Sequence, residues 1–287
     1  MLAGPTIRRR RLGIDLRRLR EQSSLRLEEV AQHLGVAPST LSRIETGKAP
    51  TRTSYLALML DLYGVDDPEQ RRLFMDSARE GQRKGWWAGS DELLPTGTGS
   101  YLGLEAEASA VRAFQTQVVP DLVRTQAYAR AVVTASRPEL APEQVDRVVA
   151  VQLRRQDVLQ GSDPIQLRLI LDESVLLRAI GPASVMHEQL ERLLAAGSQP
   201  TVTIQVLGLA AAERPVLAGS FGILGFAEPD DQDVAYAEGL RGQVLLEQRA
   251  AEVHAMRLMF DALSRSARSP RESARLIRER LIALRAD

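Results

Sequence analysis

Apolar positions recur at helical spacing from Leu12 to Tyr63. Ile14, Leu16 and Leu19 mark a first helix, and Leu27, Val30, Ala31 and Leu34 a second. Leu41 and Ile44 mark a third, and Leu56, Leu60 and Tyr63 a fourth. Each is short, with stops at Gly35, Pro38, Gly47-Lys48-Ala49-Pro50 and Gly64. Asp66 to Arg83 reads as a fifth, highly charged helix with Pro68 in its first turn. Residues 84–100, with Trp86-Trp87 and then Pro95 to Ser100, have the content of a connector. Helical spacing returns at 103–115, 120–134 and 142–160. Ile165 to Leu171 then alternates with period two, as a half-buried strand does. A helix over 182–196 and a strand over 201–207 follow, then strands at 220–226, 233–238 and 243–247. Two amphipathic helices, 249–265 and 270–285, close the chain. The pattern predicts a mainly α chain with a small sheet, in the α+β class. An all-α domain of about five helices covers 1–83, a connector 84–100, and an α+β domain 101–287.

Composition narrows the chemistry. The 287 residues include no Cys, which removes disulfides, thiol nucleophiles, thiolate zinc sites and iron–sulfur clusters. No apolar run approaches the ~18 residues of a membrane span. The basic run Arg8 to Arg11 is not followed by an apolar signal region, so a cytoplasmic location is expected. The net charge of zero hides an asymmetry: residues 1–85 carry 16 basic against 11 acidic side chains, and residues 86–287 carry 21 against 26. A basic head on an acidic body suggests that the head alone meets a polyanion.

The head also holds the one motif that carries chemistry. From Leu27 to Gly47, two short helices are joined by a tight turn. Ala31 is small where helices cross, Gly35 suits the left-handed end of a helix, and Val36 plugs the angle between helices. Pro38 presets the first turn of the second helix, and Leu41 and Ile44 face inward. Ser39, Thr40, Ser42 and Arg43 are left outward, short enough to let a helix approach base edges in a major groove. The plain alternative is a helical hairpin that serves packing or a partner surface.

The pattern Val30-Ala31, Leu34-Gly35-Val36, then Ser39-Thr40-Leu41-Ser42-Arg43-Ile44-Glu45 with Gly47 resembles the helix-turn-helix of Xre-family transcriptional regulators. The resemblance implies a recognition helix over 39–45 and duplex-DNA contacts from Pro38, Ser39, Thr40, Ser42 and Arg43. Where the family often has Gln at the start of the preceding helix this chain has Leu27, and neighbouring Arg26 is the substitute phosphate contact. Pro38 stands where a polar base reader is usual, which leaves Arg43 as the main candidate for direct readout. The family also implies a buried structural pair between Arg20 and Glu45. Lys48 and Arg52 after the recognition helix, and Arg8 to Arg11 before the first helix, are candidates to neutralise phosphates.

The body resembles the large C-terminal domain found behind an Xre head in actinobacterial regulators. The resemblance rests on Gly85-Trp86-Trp87, Tyr101-Leu102-Gly103-Leu104-Glu105, Val119-Pro120-Asp121-Leu122-Val123-Arg124-Thr125, Tyr128-Ala129-Arg130, Arg155-Gln156, Leu171-Asp172-Glu173 and Gln189-Leu190-Glu191-Arg192-Leu193-Leu194. It departs at Asp121, Arg124 and Gly208. The implied role is a regulatory, antitoxin-like domain that responds to a small molecule or to a small partner protein encoded nearby. Glu105 and Glu107 point apart on a helix, which argues against an acid–base pair. His33, His187 and His254 are scattered, and Asp230, Asp231 and Asp233 after Pro229 read as a turn. No nucleophile elbow or phosphate loop occurs. The reading is a homodimeric, DNA-binding transcriptional regulator, not an enzyme, with no metal and no cofactor; the alternative is an antitoxin-like interaction module that sequesters a small partner and autoregulates its operon.

Overall fold

The computed structural model describes residues 7–82, 85–210, 219–228, 231–239 and 242–284, except the side chains of 7, 8 and 80–82. The chain divides into two compact units, residues 1–89 with 99–107, and residues 90–98 with 108–287.

The first unit is helical: α1 (Ile7–Gln22), α2 (Leu27–His33), α3 (Pro38–Glu45), α4 (Thr53–Leu62), α5 (Pro68–Gln82) and α6 (Thr98–Glu105). The apolar stripes predicted for α1 to α4 meet in one core, where Leu16, Val30, Ala31, Leu41, Leu56 and Leu60 have no exposed surface. Burial of each large side chain contributes on the order of 1.5–3 kcal/mol, which short helices need because they are marginal alone. Trp86 and Trp87 meet edge to face with ring centres 5.5 Å apart.

The second unit is built on a six-stranded sheet of β1 (Ala110–Gln115), β2 (Gln166–Asp172), β3 (Val202–Leu207), β4 (Phe221–Gly225), β5 (Val234–Glu238) and β6 (Val244–Glu247), in the order β3-β2-β1-β4-β5-β6. β1, β2 and β3 are parallel, and β4, β5 and β6 join antiparallel. The helices are α7 (Gln126–Ser136), α8 (Pro142–Arg154), α9 (Glu173–Leu177), α10 (Ala183–Ala196), α11 (Ala250–Ser266) and α12 (Pro270–Ala283). α11 lays Val253, Phe260 and Leu263 on the sheet face formed by Phe114, Ile170, Phe221, Ile223 and Ala235. Both sheet edges are tied down. On β3, Ser273 Oγ accepts the Val206 N–H (2.9 Å) and the Arg268 N–H reaches the Val206 carbonyl (3.0 Å). On β6, the Val244 N–H reaches the Thr96 carbonyl (3.0 Å). Covered edges do not template pairing with other chains.

Two expectations are corrected. The helix placed at 103–115 is α6 ending at Glu105 and strand β1 beginning at Ala110. Its Ala-rich sequence has helical propensity, but pairing with β2 on one side and β4 on the other overrides it. The helix placed at 120–134 starts at Gln126, because the Thr125 side chain accepts the Tyr128 N–H (3.2 Å) and caps it; Asp121–Val123 is a separate 3-10 turn. The connector at 84–100 contains a 3-10 turn at Ala88–Ser90, and its later part is fixed to β6 through Thr96. Pro229 and Asp230 lie outside the described residues, while Asp233 pairs with Arg257. Among the described residues no group of three His, Asp or Glu side chains is placed to hold a metal ion, and no helix is long and apolar enough to cross a membrane.

Candidate nucleic-acid interface

The turn between α2 and α3 follows from local chemistry. Glu29 accepts the Arg26 backbone N–H (2.7 Å) and opens α2. Gly35 ends it with φ of 66°, a conformation that costs other residues ~1–2 kcal/mol. The Val36 N–H then bonds the Ala31 carbonyl (3.0 Å), and Val36 packs on the core. Pro38 starts α3 where its missing N–H costs nothing. With Leu41 and Ile44 buried, the opposite side of α3 presents Pro38, Ser39 and Arg43 exposed and Thr40 and Ser42 half-buried. Thr46 Oγ1 closes the far end on the Ser42 carbonyl (2.8 Å).

α3 is held firmly from behind. α1 crosses it at Gly13, where a Cβ would lie 2.6 Å from the Ile44 and Glu45 carbonyl oxygens. Gly47, with φ of 69°, passes the Arg10 backbone so closely that a Cβ would lie 2.8 Å from its Cα. Beyond these two close approaches along α1, Arg20 Nε and Nη2 donate to the two Glu45 carboxylate oxygens at 2.6 and 2.9 Å. Arg20 Nη1 donates to the Leu25 carbonyl (3.0 Å). The side chains are 11% and 3% exposed. The Glu45 hydrogen bond raises the Arg20 pKa further, against the lowering effect of burial, so the cation is permanent. A two-point bond between the end of α1 and the end of α3 fixes the tilt of α3 as well as its position.

Charge separates the outward face from the rest of the unit. Arg17, Arg18, Arg71, Arg72 and Arg79 each pair with a carboxylate, on Glu21, Asp15, Asp61, Glu69 and Asp76, at 2.6 to 3.2 Å. Arg43 on α3, Arg26 before α2 and Lys48 after α3 are exposed and make no ion pair among the described residues. Arg52 is exposed and sits 5.8 Å above the Tyr55 ring. All eight side chains expected to meet duplex DNA therefore reach solvent on or beside the turn. The basic run Arg8 to Arg11, expected before the first helix, lies inside α1 instead, so its residues fall on different sides of a helix. Arg9 is buried, and that burial lowers its pKa. Arg10 is half-buried, Arg11 is exposed, and the Arg8 side chain lies outside the described residues.

Sequence reading missed Gly13 and the part Gly47 plays against Arg10. A glycine inside a helical pattern reads as a weak point, and only the crossing of α1 over α3 explains it.

Residues 11–74 match a helix-turn-helix domain, and residues 98–279 match a domain of unknown function (DUF5753). No curated protein and no solved structure matches the chain.

Proposed function

Since the chain belongs to the DUF5753 family and carries a helix-turn-helix domain ahead of that region, we propose that it is a sequence-specific duplex-DNA-binding transcriptional regulator of the Xre type found in actinobacteria. The observation that carries the reading is the contrast in charge. Arg17, Arg18, Arg71, Arg72 and Arg79 are matched by carboxylates, whereas Arg26, Arg43 and Lys48, around a helix with short polar side chains, make no ion pair among the described residues. Unmatched cations exchange condensed counterions for themselves on a phosphate backbone, which is the main source of affinity for DNA. Arg43 supplies the bidentate donor that suits guanine O6 and N7, worth ~1–3 kcal/mol against a wrong base.

α3 has eight residues, about 12 Å of helix, so it reads only a few base pairs. Two copies on half-sites ~34 Å apart supply the missing specificity, which favours a homodimer. In this reading the C-terminal unit acts by binding and not by catalysis. It takes an input, a small molecule or a small partner protein, and shifts the population of arrangements in which both α3 helices fit.

The test is selection of fragments from the organism's own genome by the full chain and by Arg43→Ala. A shared motif in the wild-type set, degraded at one or two positions by Arg43→Ala, is expected. Fragments with no common motif, or the same motif from both proteins, would remove α3 from readout.

A further inference from the structure

β1, β2, β3 and β5 run in the same direction, so their carboxyl ends share one end of the sheet. That end carries a dense polar frame. Asp121 accepts from both Arg124 and Arg155. The Gln156 amide nitrogen donates to the Asp121 and Arg124 carbonyls (2.9 and 2.8 Å), and its oxygen accepts from Arg192 (3.2 Å). The Gln189 amide accepts from the Thr125 N–H and donates to the Val123 carbonyl, both at 2.8 Å. Both amides are satisfied at both ends, as buried polar networks require.

Gln115, the last residue of β1, breaks the pattern. It is 1% exposed, and its Nε2 donates to Glu238 Oε1 (2.8 Å) at the end of β5. Its Oε1 is buried with no hydrogen-bond partner among the described residues. Exchanging the amide oxygen and nitrogen moves the deficit without removing it, because Glu238 satisfies only one end. Leaving such an atom unpaired costs ~1–3 kcal/mol. Glu238 as a residue keeps solvent contact, while the atoms crowded around its carboxyl raise its pKa, ahead of the opposing Gln115 hydrogen bond. Asp121 raises it further, and Arg124 and Arg155 lower it. Both cations bond Asp121, and neither bonds the Gln115 amide oxygen. The result is a buried amide oxygen with no donor, beside a carboxyl whose one side-chain donor is the same amide's nitrogen, on a residue that keeps solvent contact.

We propose that Gln115 and Glu238 form a binding site for a small organic cation with at least two N–H donors, an ammonium or guanidinium group. One N–H goes to the Gln115 amide oxygen and the charge is held by Glu238. The site stands independently of the DNA reading, and its test uses no DNA. Agmatine and putrescine are titrated calorimetrically into the full chain, beside tetramethylammonium, which has charge without N–H, and urea, which has N–H without charge. Agmatine or putrescine is expected to bind and the two controls are not. Because the cation selects ionised Glu238, binding releases protons and strengthens as pH rises through the carboxyl range, seen as a buffer-dependent enthalpy. Glu238→Gln is expected to weaken binding at least about tenfold, and Gln115→Leu to weaken it too. The proposal is overturned if neither amine binds at millimolar concentration or if tetramethylammonium binds equally well. It is also overturned if both variants, with wild-type circular dichroism, bind as the wild type does. Should a variant not fold, the donor and proton-release tests on the wild type decide alone.

Discussion

Replacing Glu45 by Ala tests the scaffold behind α3 most severely. The change removes both hydrogen bonds that Arg20 makes to the carboxylate, at 2.6 and 2.9 Å, and leaves a guanidinium only 11% exposed. Breaking one side of a buried pair costs ~3–5 kcal/mol, mainly because the remaining charge has no partner. Two features reduce the cost here. Arg20 keeps its bond to the Leu25 carbonyl, and Glu21, 54% exposed, has an oxygen 3.7 Å from Arg20 Nη2. A solvent-screened partner of that kind returns at most ~1 kcal/mol. The expected loss is therefore ~3 kcal/mol, a large share of the ~5–15 kcal/mol that holds a domain folded. The double change Arg20→Met with Glu45→Leu removes the stranded charge and refills the space with apolar atoms, so it is expected within ~1 kcal/mol of wild type. Urea unfolding followed by tryptophan fluorescence reads the right unit, because Trp86 and Trp87 both lie in it. Glu45→Ala matching wild type, or a double variant as unstable as the single one, would show that the pair does not hold α3.

Gly35→Ala and Gly47→Ala separate two causes of glycine dependence. Both sites have φ near +67°, but only Gly47 faces backbone within 3 Å. Thermal unfolding should show Gly35→Ala losing ~1 kcal/mol and Gly47→Ala clearly more; equal losses would contradict the close approach. Lys48→Ala should weaken all duplexes alike and lower the slope of log affinity against log salt by ~1, read from titrations at several salt concentrations. Glu247 is held at a pKa of about 2 by the Arg249 side-chain and backbone hydrogen bonds. Its folded value lies below the ordinary 4.5, so it favours the folded state above that pH, and the contribution drains away as pH falls toward 2. Carboxyl-carbon NMR should place its midpoint near 2, and Arg249→Ala should move it up; a midpoint at the ordinary value would contradict the geometry.

The helix-turn-helix was legible because its signals are local. Gly35, Pro38 and the inward pair Leu41 and Ile44 each act within a turn or two of chain. β3, alternating Val202, Ile204 and Val206 against Thr203 and Gln205, was legible for the same reason. β1 was not, since its strand identity comes from partners 56 residues ahead in β2 and farther still in β4. The frame at the sheet end was hidden likewise. Asp121 and Arg124 stood out as two separate departures from the family pattern, and the structure makes them one ion pair that also takes in Arg155. Gln115 and Glu238 lie 123 positions apart, and no spacing rule joins them.

If α3 is a recognition helix, its outward side meets nucleotide edges. Amide NMR of the full chain, titrated with a duplex it selects, tests this most directly. The largest shifts are expected at Arg26, Ser39 to Arg43, Lys48 and Arg52. Shifts confined to the C-terminal unit, with α3 unmoved, would contradict it.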